Sequence, residues 1–291
     1  GEIKAARAAV EFGVPYTLST MSICSIEDVA RAVQAPFWFQ LYVMRDREFI
    51  KRLILRAKAA ACSALVLTVD LQILGQRHKD IKNGLSTPPK PTLGNLINMA
   101  SKPKWAAGML ATPRRKFGNI AGHVAGIENS SSLSHWTQQQ FDPGLNWDDV
   151  AWIKDLWGGP LIIKGIMTAE DAMLAEAHGA DAIVVSNHGG RQLDGAPASC
   201  DALPTIKSAV SAETEVWVDG GIRSGQDVLR MLALGATGTM IGRAYIYGLG
   251  AMGQNGVRKA LEIIQNELDL TMAFCGKTSL ANVERDILFS R

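Results

Sequence analysis

A parallel α/β barrel is the fold class this sequence predicts, and three observations predict it. Short apolar runs of strand length alternate with single helix-like stretches. The glycine-rich segments suited to phosphate come late in the chain, and polar residues cluster at the ends of many different runs. The 291 residues are 47% apolar and 20% charged, with net charge +2, which is ordinary for a globular chain. That apolar fraction excludes disorder as the main state. The absence of a glycine period or sustained heptads excludes collagen-like and coiled-coil chains. No uncharged apolar run reaches the roughly 18 residues of a spanning helix.

The elements follow in order. Glu2 to Phe12 reads as a helix ended by Gly13. Tyr16 to Ser19 is the first strand-length run, followed by a helical stretch from Ser25 to Val33. Phe37 to Tyr42 and the helix Asp46 to Ala61 come next, then the run Ala64 to Asp70. After a long interruption come Leu161 to Lys164, Ala182 to Ser186, Val216 to Asp219 and Thr239 to Gly242. Helices from Thr168 to His178, Asp201 to Val210 and Ser224 to Leu234 separate them. Runs apolar on both faces suit buried parallel strands, and the alternation implies right-handed βα units. Thr168-x-x-Asp171 resembles a capping box, and Ser224 is a candidate N-cap. Gly179-Ala180-Asp181 and Gly235-Ala236-Thr237 each end a helix and lead into a strand.

An open doubly wound sheet would place its glycine-rich phosphate turn after the first strand. None stands there. The candidates are Asp219-Gly220-Gly221-Ile222-Arg223-Ser224-Gly225 and Ile241-Gly242-Arg243, where barrels hold phosphate after their last two strands. Polar residues at many strand ends converge only if the sheet closes. A barrel needs eight strands and seven are visible. The expectation is therefore a TIM (β/α)8 barrel whose first strand lies before Gly1. Residues 1–291 read as one N-terminally incomplete domain with a long basic insertion at about 81–140. The start Gly1-Glu2-Ile3-Lys4 is neither a signal peptide nor an initiator, as if cut from a longer chain.

Ser186-Asn187-His188-Gly189-Gly190-Arg191-Gln192 directly follows a strand run. A histidine at a barrel mouth suits general-base work near neutral pH. Arg191 can hold a carboxylate with two parallel hydrogen bonds. His78, His123, His135 and His178 read as structural or solvated, and no spacing of His, Cys and carboxylates suggests a metal. Cys24, Cys62, Cys200 and Cys275 lie far apart, which argues against a disulfide framework and fits a reducing compartment. All four are expected to be small buried apolar side chains.

The seven-residue string resembles the active-site signature of the FMN-dependent α-hydroxy-acid dehydrogenases and oxidases. The likeness runs along nearly the whole chain, through Leu18-Ser19-Thr20, Leu67-Thr68-Val69-Asp70, Ile163-Lys164-Gly165, Asp219 to Arg223, and Gly242-Arg243. Within the family it is strongest toward the bacterial membrane-associated L-lactate dehydrogenases, on Phe37 to Arg47 and Phe141-Asp142-Pro143. The resemblance implies bound FMN and a small 2-hydroxy-acid substrate. It makes His188 the base, taking a proton from the α-carbon in a carbanion route or from the hydroxyl in a hydride route. Asp70 would support the imidazole. Tyr42, Arg77 and Arg191 would bind substrate. Lys164 would sit at the pyrimidine edge of the flavin, with Ser19, Gln40 and Thr68 bonding the ring edge. Asp219 would take the ribityl hydroxyls, and Gly220, Gly221, Arg223, Gly242 and Arg243 the phosphate. Met21 and Leu74 are candidates to face the substrate side chain.

Residues 81–127 carry +7 and no acid, leaving −5 on the remainder of the chain. A solvated lid is one reading of this insertion. The other is a peripheral membrane segment, since its cations interleave with Leu96, Ile97, Met99, Trp105, Met109, Leu110 and Phe117. Nucleic acid is not expected, because no matching fold is visible. The resemblance further implies a quinone or cytochrome acceptor, a homo-oligomer, and a peripheral position on the cytoplasmic side of the inner membrane. An oxidase using O₂ and a fragment without a complete flavin site are the competing functional classes.

Overall fold

The computed structural model describes residues 1–73, 75, 78, 82–83, 92–123 and 140–289. Seven strands form one parallel sheet in consecutive order. They are β1 (Thr17–Ser19), β2 (Trp38–Tyr42), β3 (Ala64–Thr68), β4 (Leu161–Ile166), β5 (Ala182–Val185), β6 (Glu215–Val218) and β7 (Gly238–Thr239). Helix α1 (Glu2–Phe12) precedes them, and α2 (Ile26–Val33) and α3 (Arg47–Ala59) fill the first two crossovers. Helices α4 (Leu93–Ala100), α5 (Pro103–Ala111) and α6 (Trp147–Trp157) lie between β3 and β4. Then follow α7 (Ala169–Ala177), α8 (Ser199–Ala209), α9 (Gly225–Ala233), α10 (Arg243–Met252) and α11 (Gln254–Phe274).

Local chemistry explains the boundaries. The Ser25 and Ser224 side chains close full capping boxes with Asp28 and Asp227. Thr168 accepts from the Asp171 N–H, but the return bond is absent, so the box resemblance holds only in its first half. Gly13, at φ +83°, ends α1 in the left-handed conformation. The helix expected from Asp201 begins two residues earlier, at Ser199.

Strand parity organises the core. Leu18, Leu65, Leu67, Ile163, Ile183, Val185, Val216 and Val218 point outward into the layer shared with the helices. Ala64, Val66, Ile162, Ala182 and Val184 point inward, with Trp38, Trp217 and Met240 against them. Trp38 of β2 meets Trp217 of β6 edge-on, with ring centroids 5.3 Å apart. Strands four places apart touch only when the sheet is strongly curled, so the barrel class holds and the open sheet is excluded. β1 and β7 do not pair. An apolar cavity of about 420 Å³ lies between them, lined by α1, α11 and both tryptophans.

The interruption after β3 is not strandless loop alone. Its described part holds the three helices α4, α5 and α6, with no residue of α4 buried. Ionic ties anchor its two ends. Arg114 pairs with Asp28 at 2.8 Å, and Arg47 reaches Asp142 and Asp149, each at 2.8 Å. Phe141 forms an antiparallel bridge with Met44. Of the cysteines, Cys24 and Cys62 are buried, but Cys200 is partly exposed and Cys275 exposed, so the expectation of burial fails for those two. Cys200 opens α8 and Cys275 follows the last helical turn of α11, positions that no neighbouring element covers completely.

Candidate active site

The inward parity that gives the barrel its apolar floor also gives it a polar rim. Ser19, Gln40, Tyr42, Thr68, Lys164 and Asp219 all continue the inward-facing series of their strands toward the C-terminal ends. Three of them form one row across adjacent strands. Ser19 Oγ donates to Gln40 Oε1 at 2.7 Å, and Gln40 Nε2 donates to Thr68 Oγ1 at 2.9 Å. Gln40 and Thr68 are buried.

Asp70 stands beyond the end of β3, its side chain only 10% exposed. His188 Nδ1 lies 2.9 Å from Asp70 Oδ1, although 118 residues separate them. Lys164 Nζ faces the other oxygen, Oδ2, at 3.6 Å, an ion pair rather than a hydrogen bond. Burial alone would raise the Asp70 pKa. The His188 hydrogen bond and the Lys164 charge outweigh it and hold the carboxyl below its usual range. An ionised carboxylate only accepts, so the neutral His188 carries its proton on Nδ1 and keeps the Nε2 lone pair.

Lys164 is enclosed by acceptors. Its Nζ lies 2.8 Å from Ser186 Oγ and 3.2 Å from Asp219 Oδ2. Ser186 Oγ also accepts the His188 N–H at 3.1 Å. That bond and the Asp70 bond hold His188 at φ +58°, a left-handed backbone that a non-glycine residue seldom adopts. Gly189 and Gly190 continue the turn at φ +68° and +70°. Gln192 Nε2 reaches back to the carbonyls of Asp70 and Ile73, at 3.3 and 3.4 Å.

Tyr42 packs edge-on against Phe141, centroids 5.9 Å apart, in a cluster with Leu71 and Met21. Arg191 lies on the His188 turn, partly buried. Arg77 and Leu74 lie outside the described residues, as does His135. His178 caps α7 and stacks on Trp147.

The phosphate candidates are glycine turns with room beside them. Gly220 and Gly221 have φ of +93° and +80°, and a side chain at Gly221 or Gly242 would point into open space. Arg223 gives its backbone N–H to Asp227 at 3.0 Å, so only its exposed guanidinium is left for an anion. Arg243 Nη2 reaches the Gly189 carbonyl at 3.4 Å, tying the last strand's loop to the histidine turn. Asp70 Oδ2, Asp219 Oδ1 and Ser199 Oγ are buried with no hydrogen-bond partner among the described residues. Such orphaned atoms are costly unless a donor arrives. A phosphorylated polyol would supply hydroxyl donors for Asp219 and an anion for the glycine turns.

Four contributors escape a reading for roles in the sequence. Ser186, Asn187 and Gln192 lie inside the signature string, so their signal was present and only their tasks were missing. Asn187 Oδ1 accepts the Gly190 N–H at 3.0 Å, closing the turn. Asn119, which holds the loop after β1, gave no signal at all.

Fold and site together define a parallel βα barrel with a buried His188–Asp70 pair at its mouth beside a polar rim. The chain matches the FMN-dependent dehydrogenase family over residues 1–290, and it belongs to that family. It is 46% identical to an L-lactate dehydrogenase of Ectopseudomonas mendocina, over 99% of this chain and 76% of that protein. It is 47% identical to an L-lactate dehydrogenase of Caulobacter vibrioides, over 100% of this chain and 76% of that one. Among solved structures, the monotopic membrane protein (S)-mandelate dehydrogenase superposes with a TM-score of 0.92 at 34% identity. That match covers all of this chain and 77% of the neighbour. A mandelate oxidase superposes at 0.81 with 38% identity, covering 98% and 73%.

Gly165, at φ +109°, is pressed against the acid: a Cβ there would lie 2.9 Å from Asp70 Cβ and 3.0 Å from Asp70 N. Gly165→Ala should therefore destabilise the fold by about 1–3 kcal/mol, read as a lowered thermal midpoint. An unchanged midpoint would show that Asp70 is not wedged as described.

Proposed function

We propose that this chain oxidises an L-2-hydroxy acid, L-lactate foremost, to the 2-oxo acid, with FMN as its redox group. The observation that carries the proposal is the convergence of His188 and Lys164 on the two oxygens of one buried aspartate. The names of the relatives support the substrate. FMN supplies the acceptance of two electrons that no side chain here can provide.

The substrate must give up two electrons and two protons, of which bound FMN would take the electron pair and one proton. His188 Nε2 takes one proton, from the α-carbon or from the hydroxyl, and Asp70 Oδ1 stabilises the imidazolium that results. Arg191, with Arg77, holds the substrate carboxylate, and Tyr42 bonds its hydroxyl or carboxylate. Met21 packs beside Tyr42, which supports its place facing the substrate side chain. Lys164 presents a fixed positive charge where negative charge accumulates on reduction. Ser19, Gln40 and Thr68 bond the ring edge. Asp219 bonds the polyol chain, while Gly220, Gly221, Arg223, Gly242 and Arg243 receive the phosphate.

The electron acceptor in this proposal is a membrane quinone or a cytochrome. Helices α4 and α5 support a peripheral membrane contact. Leu93 and Leu110 there are 75% and 77% exposed, and Ile97 and Trp105 are exposed beside basic residues. No helix among the described residues is long and apolar enough to cross a membrane. Four unpaired cysteines fit the cytoplasmic side. Ile246 and Tyr247 are large apolar side chains exposed on α10, which supports a homo-oligomer.

The purified chain should be yellow and should bleach with L-lactate in the absence of oxygen. His188→Gln should stay yellow and lose bleaching by at least about 100-fold in rate. A colourless wild type, or full-rate bleaching of the variant, would overturn the assignment. Binding to anionic liposomes should fall steeply between low and high salt. Equal binding to neutral liposomes at every ionic strength would contradict the electrostatic part of the membrane contact.

A further inference from the structure

The structure assigns to Asn119 a task in placing the flavin-facing turn after β1, and we propose it as a positioning residue for that edge, a role that rests on the flavin reading above. Asn119 belongs to the returning end of the basic insertion, far in sequence from the site, yet its side chain is completely buried. Its Oδ1 accepts the Ile26 N–H at 2.9 Å. Its Nδ2 donates to the Ser19 carbonyl at 3.2 Å and to Ser22 Oγ at 3.1 Å. A backbone N–H only donates and a carbonyl only accepts, so the orientation of the amide is fixed by its partners.

The same segment is locked from behind. Arg56 Nη1 donates to the Asn119 carbonyl at 3.0 Å and forks onto Glu27 at 2.7 and 2.9 Å. That fork holds the Glu27 carboxyl down at about 2, so the clamp stays charged at any ordinary pH. Next to it, the Gly118 N–H bonds the Ser22 carbonyl at 3.0 Å. A Cβ on Gly118 would fall 2.7 Å from both Ile23 O and Ser25 N, so the returning segment of the insertion and the turn touch backbone to backbone.

What Asn119 holds is the residue that begins the ring-edge row. The Ser19 carbonyl takes both the Asn119 amide and the Ser22 N–H, while Ser19 Oγ starts the chain to Gln40 and Thr68. Removing the amide leaves a buried carbonyl and a buried hydroxyl each short of one partner, a cost felt at this turn. The insertion that carries exposed α4 and α5 therefore re-enters the fold through the residue that sets one edge of the flavin site.

The test uses the full chain loaded with FMN, comparing Asn119→Leu, Ser22→Ala and a control, Ile206→Ala, which opens a cavity in α8 away from the turn. The readouts are the FMN dissociation constant and the midpoint potential of the bound flavin. Asn119→Leu should loosen FMN at least about tenfold and shift the potential. Ser22→Ala should move both in the same direction by less. Ile206→Ala should lower thermal stability while leaving both at wild-type values. Wild-type affinity and potential in Asn119→Leu overturn the proposal, and so does an equal change in Ile206→Ala. If Asn119→Leu does not fold, an unchanged Ser22→Ala overturns it alone. A wild-type chain that binds no FMN removes the flavin reading and this one together. Bound FMN with indifferent variants removes only this one.

Discussion

Asp70 is a buried carboxylate with a cation-forming ring on one oxygen and an ammonium on the other. Most of the site's geometry can be traced to that sharing. Keeping the charge ionised under burial requires both partners. Holding both requires that β3, β4 and the turn after β5 end at matching heights. The strained backbone at His188 and the contact of Gly165 with Asp70 follow from the same crowding. Lys164 then links this pair to Asp219, so His188, Asp70, Lys164 and Asp219 form one electrostatic unit.

The sheet makes this possible by parity. Each strand alternates between a helix-facing and an interior-facing series, and the interior series changes from apolar to polar near its C-terminal end. Trp38 becomes Gln40 and Tyr42, Val66 becomes Thr68, and Ile162 becomes Lys164. Curling the sheet brings those ends to one rim. The tryptophan pair and the apolar inward residues lie beneath them, so the rim groups sit above an apolar interior.

This arrangement was largely legible in the sequence where physics is local. Strand-length runs, capping residues and the glycine ends of helices depend on neighbours in the chain, and their boundaries agree with the structure within two residues except at β7, which ends at Thr239, three residues before the expected Gly242. The pairing of Asp70 with His188 was legible only through the family likeness, since no spacing predicts a contact across 118 residues. Asn119 was not legible, because an asparagine in a basic segment looks solvated until the fold buries it. The two insertion helices were missed because each is short and they lie among Pro88, Pro89, Pro91, Pro103 and Pro113, although Leu93, Leu96 and Ile97 of α4 stand at helical spacing.

The exposed apolar residues of that insertion and the tight seating of its returning end are two aspects of one element. Helices α4 and α5 expose their apolar residues, and the returning end of the segment clamps the turn after β1. The account as a whole depends on the state of the His188–Asp70 pair. The most direct measurement is the ¹⁵N spectrum of the histidine ring in isotope-labelled protein. In its neutral form, His188 should carry its proton on Nδ1, and Asp70→Asn should disturb that tautomer. A neutral His188 protonated on Nε2 would contradict the account, since the nitrogen meant to take the substrate proton would already hold one.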